Sequence, residues 1–257
     1  MIRGLYTSVS AMMTLEAKQS IVTNNLANVN TVGYKEDTLV EKSFDEIMLS
    51  NNDNYINGMP HNQKIGGLSF GTRIDENVTN HKQGTHISTE NNTDFAIDGD
   101  GFFKVLDHNN KTFYTRNGSF NIDNQGYLVT KSGDYVLGTN RNTNNSEPIY
   151  VGHGKLVINP DNSISIDGNK MYDFNIVKFD NKHDLIKSGN NLYNGKNEIK
   201  TNNIKIKQGY LEGSNVDSIG TMSSLMETVK LFEANQKVIQ TIDSTLSKVA
   251  NEIGTVR

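Results

Sequence analysis

The sequence predicts an α+β chain: long amino- and carboxy-terminal helices form a coiled-coil-like pair, with a mainly antiparallel β domain between them in sequence. Two observations carry this. Apolar residues recur at three-and-four spacing near both ends, whereas the middle breaks into short alternating runs separated by Asn, Asp and Gly turns. The chain accordingly divides into a helical segment at 1–33, an extended linker or loop at 34–67, a β domain at 68–213 and a second helical segment at 214–257.

The first helix is read from Leu5, Ser8, Met12, Leu15, Gln19, Val22, Leu26 and Val29, which fall along one side of a 3.6-residue spiral. Asn28, Asn30 and Gly33 end it, since Gly33 can adopt the left-handed conformation that closes a helix. The second stripe runs through Leu225, Val229, Phe232, Ile239, Ile242, Leu246, Val249, Ile253 and Val256, with Asn235 as a polar interruption. Ser224 to Glu227 fits a capping box, and Asn215, Asp217 or Ser218 could open the helix earlier, with Gly220 in its first turn. Glu227 with Lys230 and Glu233 with Lys237 add pairs worth roughly a few tenths of a kcal/mol each.

The middle reads as strands at 102–106, 112–115, 119–122, 127–130, 156–158, 163–166, 174–179 and 204–207, spaced as in a sandwich or irregular barrel. Residues 50–67 are polar and rich in Asn and Gly, the texture of an exposed loop or extension.

Composition excludes several classes. With a net charge of −4 and dispersed lysines, the chain presents no basic field to nucleic acid. No window approaches the roughly 18 apolar residues of a spanning helix, and Ser10 and Glu16 break up the amino end as a cleavable signal. The absence of cysteine removes disulfides, thiolate metal sites and thiol catalysis together.

The chemical motifs fail on context. Gly67-Leu68-Ser69-Phe70-Gly71 matches a hydrolase nucleophile pattern but lacks the preceding apolar strand and the following helix. Gly66 to Gly71 has the span of a phosphate loop, with Thr72 where the lysine belongs. Gly99-Asp100-Gly101 places Lys104 where a dinucleotide site needs its third glycine. Asn121, Asp123, Gln125 and Gly126 open like a calcium loop, yet Ser132 stands at the position of the closing glutamate. The histidines are scattered without ligand spacing. No catalytic, metal or cofactor residue is nominated, and no cofactor is expected.

The stripes carry more. Two helices alone bury about one face each and are marginal in water, so self-association is the expected relief. Ordering of the ends would then wait for neighbouring subunits, and identical heterologous contacts would build an open lattice.

Asn24-Asn25-Leu26-Ala27-Asn28-Val29-Asn30-Thr31-Val32-Gly33-Tyr34-Lys35 resembles the amino-terminal signature of the bacterial flagellar rod and hook family. Residues 95–103 with 114–120 resemble that family's central motif, and 209–216 its carboxy-terminal one. The opening Met1-Ile2-Arg3-Gly4-Leu5-Tyr6 and the modest length are most similar to the distal rod type. The resemblance implies a structural, non-enzymatic rod subunit in the flagellar basal body, exported across the cytoplasmic membrane without a cleaved signal. Its partners would be copies of itself, other rod and hook subunits and the export apparatus, with no nucleic acid and no small-molecule substrate. A hook subunit is the nearest alternative, and a wall-binding or hydrolytic β module a more distant one. The expected assembly motif is Asn24, Asn25, Leu26, Ala27, Asn28, Thr31, Gly33 and Tyr34. The expected helix-packing residues are Leu5, Met12, Val22, Val229, Phe232, Ile239, Ile242, Leu246 and Val249.

Overall fold

The structure is a computed structural model that describes residues 2–56, 59–201 and 204–253. Helix α1 covers Ile2–Ala27 and helix α2 covers Ser218–Ile253. At 1.5 Å per residue, the 36 residues of α2 reach about 54 Å. Helix α1 stops two residues short of the last apolar position, Val29. The backbone turns there, with the Thr31 N–H donating to the Asn28 carbonyl and the Tyr34 N–H to the Thr31 carbonyl. Helix α2 opens at Ser218, the earlier of the alternatives, so Ser224 lies inside it and its carbonyl accepts the Thr228 hydroxyl.

The chain forms two compact units that interleave in sequence. The first comprises Met1–Leu26, Asp37–Val78 and Ser218–Arg257; the second comprises Ala27–Glu36 and Thr79–Asp217. The backbone therefore passes between units four times, after residues 26, 36, 78 and 217.

In the first unit, strand Asp37–Ser43 pairs with Thr72–Thr79, and Ile47–Ile56 pairs antiparallel with Met59–Leu68. That second pair occupies the stretch read from sequence as loop. Asn and Gly depress strand propensity there, and the register slips between Leu49 and Ser50 and between Asn51 and Asn54. Helix α1 meets the turn before Thr72 through its hydroxyls. Thr7 donates to the Phe70 carbonyl, Ser10 accepts the Thr72 N–H, and the Thr14 and Thr72 hydroxyls lie 3.2 Å apart.

The second unit is an antiparallel β domain. Its main sheet runs in the order Leu156–Ile158, Ser163–Ile166, Asn169–Phe174, Tyr135–Asn140, Phe102–Leu106, Thr112–Thr115, Leu192–Asn194, Ile186–Lys187. Alternation along Phe102–Leu106 sends Phe103 and Val105 into one core with Phe95, Phe120, Val136 and Phe174. Phe102 goes into a second core with Tyr114, Phe179 and Tyr193. Edge-to-face ring contacts at 5.2–5.4 Å bind Phe103 to Phe120 and Phe174.

Candidate assembly site

Where α1 ends, the Asn25 side chain performs the work of a strand neighbour. Its amide donates to the Asp37 carbonyl at 2.7 Å and its oxygen accepts the Asp37 N–H at 3.0 Å. An excursion of ten residues, Ala27–Glu36, is thus tied off at its base. Inside the excursion Gly33 has φ +70°, and a Cβ there would stand 2.5 Å from the Asn117 nitrogen and 2.8 Å from the Arg116 carbonyl carbon. Both obstacles are backbone, so glycine is required twice over. The Gly33 N–H donates to the Glu212 carbonyl at 2.8 Å.

The three segments that carry the family resemblance converge on Glu212. Lys35 Nζ lies 2.5 Å from Glu212 Oε1, and Arg116 Nη1 lies 3.2 Å from Oε2; all three side chains are buried. The Gly84 N–H also donates to Oε1, and Lys35 Nζ reaches the Lys82 carbonyl. Burial pushes the Lys35 ammonium below its ordinary range, outweighing the pull of Glu212 in the other direction. Around this centre Asn215 accepts the Glu36 N–H and donates to the Asn80 and Lys82 carbonyls. Lys187 sits 4.5 Å above the Tyr34 ring and donates to the Lys35 carbonyl. Between Asn80 and Lys82, the His81 ring packs against Phe102 and Tyr193. Burial first, then the Lys182, Lys35, Arg116 and Lys187 charges, lower its pKa to about 4.

The expected assembly motif straddles the boundary between units. Asn24, Asn25 and Leu26 belong to the first, and Ala27, Asn28, Thr31, Gly33 and Tyr34 to the second. Asn25, Gly33 and Tyr34 are buried, Leu26, Asn28 and Thr31 half-buried, and Asn24 and Ala27 exposed. Of the packing residues, Val22 is buried and Leu5, Met12, Val229, Phe232, Ile239, Ile242 and Leu246 are half-buried, whereas Val249 is 42% exposed. Ile253 and Val256 lie outside the residues whose side chains are described. Lys35, Arg116 and Glu212 lie inside the motifs read from sequence, which gave them no role; the signal was that each is the sole charged residue of its segment, 24–35, 114–120 and 209–216.

The rejected motifs have structural roles. The Ser69 hydroxyl lies within hydrogen-bonding distance of the Phe44 and Gly71 carbonyls, so its proton is engaged by backbone. The calcium-like stretch is a turn closed by the Gly126 N–H on the Asp123 carbonyl. Among the described residues no three His, Cys, Asp or Glu side chains cluster as metal ligands, and no helix is long and apolar enough to cross a membrane.

Three family descriptions match along the chain. Residues 5–35 match "Flagella basal body rod protein", residues 96–223 match "Flagellar hook protein FlgE/F/G D1 domain", and residues 207–252 match "Flagellar basal body rod FlgEFG protein C-terminal". The flagellar basal-body rod protein FlgG of Bacillus subtilis is 34% identical over 98% of this chain and 99% of its own length. The chain belongs to the flagellar rod and hook family. Other full-length relatives include the hook-basal body complex protein FlhO of Bacillus subtilis, at 28% over 100% of both chains. The rod protein FlgF of Caulobacter vibrioides is 28% identical over 98% of each. As a member of this family, the chain is a structural subunit of the flagellar basal-body rod.

Proposed function

We propose that this rod subunit assembles through an apolar seam between α1 and α2, and that it is structural rather than enzymatic, of the distal rod type. The observation that carries the seam is a shared spacing. Leu5, Ser8, Met12, Leu15, Gln19, Val22 and Leu26 alternate steps of three and four, as do Leu225, Thr228, Phe232, Asn235, Ile239, Ile242 and Leu246; every member of both series is buried or half-buried. A Cβ built at Gly4 would stand 3.9 Å from Ile242 Cδ1, so the amino end of α1 lies beside the carboxy-terminal third of α2. Along the seam, Ser8, Leu15 and Val22 of α1 and Thr228 of α2 are buried, as is Thr221 one turn before Leu225, which an antiparallel pair satisfies.

The paired helices then join those of neighbouring copies and of other rod and hook subunits in an open helical lattice. The segment from Asn24 to Lys35 fixes where the chain leaves the helices for the β domain. Export proceeds through the flagellar apparatus without cleavage. Replacing Leu26 or Ile242 with Asp should abolish incorporation into basal bodies while the β domain stays folded; variants that still build rods would remove the seam from consideration. Because a matching description names a hook protein, the hook is the second reading. Electron microscopy of labelled basal bodies separates the two by whether the label lies within the envelope or beyond it.

A further inference from the structure

Residues 80–82 form a clasp on the Ala27–Glu36 excursion. The Asn80 N–H donates to the Glu36 carbonyl at 2.8 Å, and the Asn215 amide donates to the Asn80 and Lys82 carbonyls. Asn215 in turn accepts the Glu36 N–H, and the Lys82 carbonyl takes the Lys35 ammonium. Glu36, Asn80 and Asn215 each stand close to a point where the chain enters or leaves the second unit. At the centre of the clasp, the His81 ring lies against Phe102 and Tyr193, with centroids 5.9 and 5.6 Å away. Its Nδ1 is buried and has no hydrogen-bond partner among the described residues.

A neutral imidazole carries one N–H and can leave its bare nitrogen dry, whereas an imidazolium donates from both. Here no acceptor stands ready for the second N–H. Glu212 Oε1 already takes Lys35 and Gly84, Oε2 takes Arg116, and Arg116 Nε is itself buried without an acceptor. Charge opposes the proton as well, since Lys35, Arg116, Lys182 and Lys187 all face the ring. Of the carboxylates nearby, Glu212 is engaged by two of these cations, and Asp100 pairs with Lys182 at 2.9 Å and Arg116 at 3.8 Å. We infer that His81 is an acid-sensitive latch: on taking up a proton the ring leaves Phe102 and Tyr193, and residues 80–82 let go of Lys35, Glu36 and Asn215. The excursion is released, while the core around Phe103, on the other face of that strand, stays closed. Burial and then the four cations hold the ring's pKa at about 4, and in the opened segment it returns to the ordinary 6.5. The opened form therefore binds the proton first, and the opening equilibrium should rise roughly twentyfold from pH 7 to pH 5.

Hydrogen exchange of the full chain tests this, read as protection factors so that the intrinsic pH dependence of exchange drops out. Between pH 7 and pH 5 the Glu36 and Asn80 amides, both bonded in the clasp, should lose roughly twentyfold in protection. The Leu128 and Ile149 amides, bonded within the Phe103 core, should remain the better protected set. His81→Phe keeps a ring against Phe102 and Tyr193 without a titratable nitrogen, and should hold Glu36 and Asn80 level over that range. Lys182→Met removes a partly exposed cation and frees Asp100 to face the ring, and should leave a smaller drop than in the parent chain. Unchanged protection in the parent chain, one common exchange rate for both sets of amides, or the full drop retained in either variant would overturn the latch. If His81→Phe does not fold, the parent chain and Lys182→Met decide the matter by the same readings.

Discussion

Glu212 answers two cations where water cannot help. With Lys35 and Arg116 both buried against it, Glu212→Gln strips Lys35 of its carboxylate partner and leaves Arg116 only the more distant Asp100, at 3.8 Å, and should cost about 3–5 kcal/mol, read as a shifted denaturant midpoint. Gly33→Ala meets backbone atoms of Arg116 and Asn117 that cannot swing aside, and should cost roughly 2–3 kcal/mol from the left-handed φ and the clash together. His81 sets a pH limit. Its folded pKa lies below the ordinary value of 6.5, at about 4, so the unfolded chain binds the proton first and stability drains away as pH falls from 6.5 toward 4. The loss should be on the order of 2–3 kcal/mol, complete near pH 4, and blunted in His81→Phe, as thermal melts across that range would record.

At the scale of elements, the sequence made some features plain and hid others for physical reasons. Both helices follow from three-and-four periodicity, and the strands Phe102–Leu106, Thr112–Thr115, Leu156–Ile158 and Ser163–Ile166 from short alternating runs between turns. The antiparallel pair Ile47–Ile56 with Met59–Leu68 carries no such alternation, because a two-stranded ribbon has no core face to pattern. Such ribbons are marginal in water, so the amides of Ile47–Asn51 and Gln63–Leu68 should exchange with deuterium faster than those of Phe102–Leu106. The reciprocal bonds of Asn25 to Asp37 were equally invisible, since they join residues twelve apart by geometry that no local pattern encodes. Asn25→Ala should cost about 1–3 kcal/mol by removing its two hydrogen bonds to the Asp37 backbone.

For the whole molecule, family and structural role could be read from three signatures, because short segments with glycine at fixed places, such as Gly33, hold backbone in shapes that few other residues permit. Their meeting around one carboxylate could not be read, because convergence is a long-range fact: Lys35 and Glu212 are 177 residues apart. The division into units was hidden for the same reason. A sequential reading gives consecutive segments, whereas the chain returns to its first unit twice.

That return has a mechanical meaning. A part joined to the remainder of its subunit by one tether would put any load between them on a single peptide. Here the two units are joined by backbone crossings after residues 26, 36, 78 and 217, and the first two are laced together by Asn25. A subunit built this way has parallel covalent spans to share such a load, as plies do in a rope.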